Sequence, residues 1–162
     1  MPLPPRNEKV YVASSWRNIF QQAVVFTLQA AGFEVYDFRN PPENTGFSWE
    51  QIGLQHSASL HDDITKVLDV SYVDDYLPAL QHTRAIDGFN ADMGALRAAD
   101  ICVLVLPCGR SAHLELGWAT GAGKRTVVYA PEPVITPELM YLMTDHIAPN
   151  MMDLLAWLGV ED

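Results

Sequence analysis

The chain has 162 residues, 49% of them hydrophobic, enough for one complete core and too few for two comfortable domains. Ten Lys and Arg against twenty Asp and Glu leave a formal charge of -10, which repels phosphate polymers and argues against DNA or RNA as a partner, though not against a small nucleotide held by local donors. Cys102 and Cys108 suggest neither a disulfide framework nor a metal quartet, the start Met1-Pro2-Leu3-Pro4-Pro5-Arg6 has no apolar signal core, and no run approaches membrane-spanning length. A reduced, cytoplasmic enzyme or binding protein with no membrane partner is expected.

After a leader over residues 1–8, Lys9 to Ala13 reads as a strand covered on both faces, being β-rich and mostly apolar. Ser14 and Ser15 are good helix-start residues, and apolar side chains recur at helical spacing from Trp16 to Ala31 before Gly32 stops the helix. Phe33 to Phe38 alternates as a second strand, so strand, helix and strand open a doubly wound pattern. Residues 39–46 are a loop by their Pro, Asn and Gly content. The region over 41–88 reads as an insert or lid, with short helices suggested around Trp49 to His56 and Leu77 to Ile86. A helix capped by Asn90 runs to Ala99, followed by an all-apolar strand, Ile101 to Leu106. A small turn then leads into a helix that Ser111 would cap, with Glu115 in its first turn. That helix stops at residues 121–124, and Arg125 to Ala130 is the next strand. A loop over 131–137, a helical turn at Glu138 to Met143, a fifth strand at His146 to Ala148 and a closing helix at Met151 to Leu158 complete the chain. The expected fold is α/β, a Rossmann-like or flavodoxin-like doubly wound, mostly parallel five-stranded sheet with helices on both faces, in a single domain.

Three places carry chemistry. Glu115 follows the central strand, where an open α/β sheet places its ligand crevice, and Gly109 allows the backbone to approach a ligand closely. An ionised carboxylate there can attack a sugar anomeric carbon or stabilise an oxocarbenium ion, while an ordinary helix glutamate fits the same spacing. Asp92 could donate a proton to a leaving base, yet a first-turn aspartate is also common for purely helical reasons. Ser14, Ser15 and Arg17 make a small anion-binding set at the end of the first strand, where Trp16 could stack on a base. A capped helix with a surface arginine fits equally. His56, His61, His82, His113 and His146 show no metal-ligand spacing, so neither a metal nor another cofactor is expected.

Tyr11…Ser15-Trp16-Arg17, Asn90-Ala91-Asp92, Ala99-Asp100, Gly109 and Glu115-Leu116-Gly117-Trp118-Ala119…Gly123-Lys124 together resemble the nucleoside 2-deoxyribosyltransferase family and the related deoxynucleoside 5'-monophosphate N-glycosidases. The resemblance covers the first strand and residues 89–143, over half the chain. It implies cleavage of an N-glycosidic bond through a covalent glycosyl-glutamate. Glu115 matches the nucleophile, Asp92 the residue that handles the base or its proton, and Tyr11 the tyrosine that positions the nucleophile. Trp16 matches a transferase tryptophan, and Ser15 with Arg17 the phosphate-binding pair of the hydrolases. Ser14, Asn90, Gly109, Ser111, Glu138 and Met140 complete the implied substrate contacts. The family further implies a homodimer or higher homo-oligomer with shared active sites, Glu138 falling where the neighbour contributes. Two positions depart from the pattern: Gly109 stands where transferases carry an acid and the hydrolases a serine, and Glu138 where the family has an amide or hydroxyl. The substrate is then a small nucleoside or nucleotide, and the acceptor is a second base or water. A nucleoside monophosphate or NAD N-glycohydrolase and a non-catalytic nucleotide sensor are the alternatives.

Overall fold

Among the described residues, five β-rich segments form one parallel sheet: β1 (Lys9–Ala13), β2 (Glu34–Asp37), β3 (Ile101–Val105), β4 (Arg125–Tyr129) and β5 (His146–Ala148), in the order β2-β1-β3-β4-β5. The computed structural model describes residues 6–54, 72–131 and 138–160. They divide into two compact units, Met1–Arg39 with Gly94–Asp162, and Asn40–Met93. Every residue of β3 is buried, as expected of a central parallel strand with helices on both faces. The doubly wound α/β expectation therefore holds.

One face of the sheet is the main core. Val10 and Val12 of β1, Ile101, Val103 and Val105 of β3 and Val127 of β4 pack with Val24, Val25 and Leu28, and with Leu154. Those helical residues belong to α1 (Gln21–Ala30) and to a C-terminal helix over Met151–Trp157. Each such side chain contributes roughly 1.5–3 kcal/mol of apolar transfer when fully buried. The alternate residues point to the opposite face, where Tyr36, Tyr11, Cys102 and Thr126 are register partners across four strands. At the amino ends of the strands, Asp100 locks β1 to β3: its carboxylate accepts from Lys9 N–H at 2.9 Å, and its own N–H donates to Lys9 O at 2.9 Å.

The helix starts differ from the sequence expectations. α1 begins at Gln21 rather than near Trp16, because Asn18 Oδ1 accepts from the N–H groups of Phe20 and Gln21 at 2.7 and 2.8 Å. Ser14 does not cap it: the helix starts seven residues further on, and the Ser14 hydroxyl donates to Val105 O instead. Gly32 ends α1 with φ of 89°, which a glycine adopts without steric cost. The helix after β3 spans Arg110–Gly121, with Gly109 as its extended N-cap, so Ser111 lies inside it. Glu115 is consequently in its second turn, beyond the range where the helix start acts most strongly.

In the second unit, short 3-10 turns at Pro42–Asn44 and Trp49–Ile52 lead to α2 (Leu77–Ala79). Ser48 and Gln51 form a reciprocal capping box on the second turn. Trp49 packs against Phe47 and Tyr76 with ring centroids 5.1 and 5.8 Å apart. α3 (Thr83–Ala98) then runs unbroken through Asn90, so Asn90 caps nothing and Asp92 stands well past the first turn. The helix starts earlier because His82 Nδ1 accepts from the Arg84 N–H at 3.2 Å. Gly88 does not interrupt it; a Cβ there would sit 2.5 Å from Phe47 Cβ, so this glycine serves a close approach. Residues 55–71 and 132–137, with His56, His61, part of the expected lid and most of the expected loop before Glu138, lie outside the described residues. The remaining helices are α4 (Arg110–Gly121) and α5 (Met151–Trp157), with a 3-10 turn at Leu139–Met143. Among the described residues, no helix is long and apolar enough to cross a membrane.

Candidate functional site

The strand order reverses between β1 and β3, and ligands of open α/β sheets bind outside the carboxyl ends of strands at such a point. The register pairs Ala13 with Leu104, so the segments leaving β1 and β3 start side by side. Asn18, 4% exposed, joins them: its Nδ2 donates to Val105 O at 3.2 Å and to Pro107 O at 2.9 Å, while its Oδ1 caps α1. Ser14 Oγ also donates to Val105 O, at 2.8 Å.

The segment between Ala13 and α1 is held from behind by Arg39. Its Nη2 donates to the carbonyls of Ser15, Trp16 and Asn18 at 2.9, 2.7 and 2.7 Å. Its backbone N–H donates to Asp37 Oδ1, which also accepts from Gln21 Nε2. Arg39 Nε is buried without a partner among the described residues. On the open side, Ser15 Oγ accepts from Arg17 N–H at 3.3 Å, and the half-exposed Trp16 meets Phe38 edge to face.

Glu115 is partly buried on α4. Its carboxylate helps raise the Cys102 and Cys108 thiols, after the larger effect of burial; Cys108 is pushed up to about 12. Cys102 is the register partner of Tyr11 on β1. Tyr11 is buried and stacks on Tyr36 with ring centroids 5.3 Å apart. Gly109 has open space where a side chain would begin and an ordinary extended φ of -92°, so its backbone does not require glycine.

Cys108 and His113 look at first like a thiol–imidazole pair, with Sγ 3.7 Å from Nδ1. Two observations oppose that chemistry. The thiol is held protonated, and His113 Nδ1 lies 2.8 Å from Gly109 O, an acceptor, so Nδ1 carries the hydrogen. Nε2 then accepts from Tyr141 OH at 2.8 Å, and the two rings stack. The Tyr141 phenol is raised to about 12, chiefly by burial, then by Cys108 and Glu138. Glu138 Oε1 accepts from Met140 N–H at 2.8 Å and caps the Leu139–Met143 turn, while Met140 is exposed.

The first unit therefore brings the segment of Ser14, Ser15, Trp16 and Arg17 to the switch point beside the segment that leads through Gly109 to Ser111 and Glu115 on α4, with Tyr11 on β1. Asn90 and Asp92 belong to the second unit, both on α3. Sequence reasoning missed Asn18, although Asn18-x-x-Gln21 has the spacing of a capping box. It also missed Arg39 and the His113–Tyr141 pair, whose partners are distant in sequence and carry no local signal.

No family model matches the chain, and no curated protein does. Solved structures do. A 2-deoxyribosyltransferase from Bacillus psychrosaccharolyticus superposes with a TM-score of 0.56 at 17% identity, over 90% of this chain and 89% of its own. A conserved protein from Enterococcus faecalis V583 gives 0.52 at 14% identity, over 94% and 97%. A CMP N-glycosidase from Clostridium botulinum gives 0.46 at 15% identity, over 94% and 98%. At these identities the shared property is the fold: this chain has the doubly wound α/β fold of the 2-deoxyribosyltransferase.

Proposed function

We propose that this protein cleaves the N-glycosidic bond of a nucleoside or nucleotide, as a member of the nucleoside 2-deoxyribosyltransferase family. The observation that carries this reading is Glu115, a carboxylate on the helix after the central strand, in a fold shared with a 2-deoxyribosyltransferase. The raised thiols beside it support the assignment, because Cys102 and Cys108 stay protonated near neutral pH and leave the carboxylate as the nucleophile.

In this reading a Glu115 carboxylate oxygen attacks C1' of the sugar. The C1'–N bond breaks as the C1'–O bond forms, and Asp92 donates a proton to the departing base. A second base or water then attacks C1' and releases Glu115, its proton returning to Asp92. Tyr11 orients the nucleophile. Ser14, Ser15, Trp16, Arg17, Asn90, Gly109, Ser111 and Met140 contact the substrate. Glu138 reaches the site of a neighbouring copy. A homo-oligomer fits the exposed Leu139, Met140 and Leu142 beside Glu138, an apolar patch that a second copy would cover. Cytoplasmic localisation and a single catalytic domain over residues 1–162 belong to the same reading.

Chromatography tests it. The protein is incubated with deoxynucleosides plus a free base, with deoxynucleoside and ribonucleoside monophosphates, and with NAD, and Glu115→Gln is the control. A swapped base identifies a transferase, and free base without exchange identifies a hydrolase. Tight nucleotide binding with no turnover of any substrate overturns the enzymatic reading.

A further inference from the structure

We propose that Arg39 is a positioning residue that shapes the segment after β1 into a receptor for an anionic group of the substrate, a phosphate monoester. The inference rests on the nucleotide-cleaving reading above and deepens it. A trans peptide directs each carbonyl opposite to the N–H of the next residue. The three carbonyls that converge on Arg39 Nη2 belong to Ser15, Trp16 and Asn18. The N–H groups of Trp16, Arg17 and Ile19 are therefore turned away from Arg39, toward the open side of the segment.

Those donors are available. The Trp16 and Ile19 N–H groups donate to no acceptor among the described residues, and Arg17 N–H makes only the 3.3 Å bond to Ser15 Oγ. The Arg17 guanidinium, also without a partner among the described residues, stands on the same segment, and both Trp16 and Ile19 are exposed. Successive N–H groups turned to one side form a concavity suited to an anion, and charge-assisted bonds from an arginine strengthen it. The Arg39 cation adds a favourable field from behind. In a chain of net charge -10, this concentration of donors and cations selects for an anionic ligand locally against the overall field.

The arrangement is over-determined on the Arg39 side. Asp37 fixes the Arg39 backbone and, through Gln21 and Gln22, ties the same carboxylate to the start of α1. The guanidinium is kept in place although its Nε lacks a partner among the described residues. An apolar residue at position 39 would leave three carbonyls to find other donors, and the peptide planes would be free to turn.

The test compares affinities for a deoxynucleoside and its 5'-monophosphate by calorimetry, for the wild type, Arg39→Lys and Arg39→Met. Turnover of both compounds is followed in parallel, and circular dichroism checks the fold. The wild type is expected to prefer the monophosphate by about tenfold or more, as a phosphate held by several charge-assisted bonds implies. Arg39→Met brings that ratio close to one, and Arg39→Lys, which keeps a cationic donor, restores most of it. A purely structural role would weaken both ligands together and leave the ratio unchanged, which overturns the proposal. So does a wild type that binds both compounds equally. If the wild type turns over neither compound yet shows the preference and Arg39→Met abolishes it, the Arg39 assignment stands and the enzymatic reading falls. Should Arg39→Met fail to fold, Arg39→Gln, uncharged but still a donor, is measured instead: a ratio near one supports the proposal, and an unchanged ratio overturns it.

Discussion

Asn18 satisfies two carbonyls, one at the end of β3 and one just after it, with one end of its amide, and two N–H groups at the start of α1 with the other. Replacing it by alanine removes the cap and the donor to Pro107 O, while Val105 O keeps only the Ser14 hydroxyl. The expected loss for Asn18→Ala is about 1–3 kcal/mol, or roughly 2–4 °C in Tm per kcal/mol for a chain of this size. Asn18→Asp keeps the cap but turns a carboxylate toward the Val105 and Pro107 carbonyls, so it should melt no higher than the alanine variant. Full recovery in Asn18→Asp would show that capping alone matters. The capping signal was legible in the sequence; the two carbonyls 87 and 89 residues away were not. Arg39 is illegible for the same reason, since its value depends on carbonyls gathered by the fold. Glu115 and Tyr11 were legible as candidates because they follow or occupy apolar strands whose positions the burial pattern dictates.

Strands were read more faithfully than helix starts. A strand covered on both faces is a continuous apolar run, so Lys9–Ala13 matches its expected bounds and Ile101–Val105 differs by one residue, while the edge strand His146–Ala148, with Ile147 exposed, matches on its short β-rich run. Ser14, Asn90 and Ser111 misled because a side chain caps only where the backbone turns into the helix, and other groups begin these three helices. α3 makes the point testable. Gly88→Ala gains about 1 kcal/mol of helix propensity but drives a methyl against Phe47 Cβ, so a net loss of about 1–2 kcal/mol is expected. Gly94→Ala in the same helix meets nothing within 4 Å and should stabilise by up to about 1 kcal/mol. Denaturant melts of the two variants check the opposite signs.

At the scale of the whole molecule, the sheet order β2-β1-β3-β4-β5 sets both the crevice and a pH dependence. Cys102, Cys108 and Tyr141 are all raised in the folded chain, chiefly by burial. The folded state therefore keeps protons that the unfolded chain releases above its ordinary thiol value of 9.0. The contribution of the thiols is fully present below pH 9 and is lost as pH rises toward 12, each thiol costing up to about 1.4 kcal/mol per pH unit. Thermal melts should hold steady from pH 7 to 8 and fall steeply above 9. Cys102→Ala with Cys108→Ala should make that fall shallower, and an unchanged slope would assign the alkaline limb to other groups.

The doubly wound order was legible from alternating strand and helix patterns, whereas the short turns and aromatic contacts at the start of the second unit offered no period to read. The proposed chemistry turns on Glu115 as the nucleophile. Its most direct measurement is base release from a deoxynucleoside or its 5'-monophosphate by wild type and by Glu115→Gln, with mass spectrometry of the quenched protein. The wild type should release base and carry a glycosyl adduct on the peptide containing Glu115. Glu115→Gln should lose activity by about a thousandfold or more and carry no adduct. Base release at the wild-type rate by Glu115→Gln, or an adduct on another residue, would contradict it.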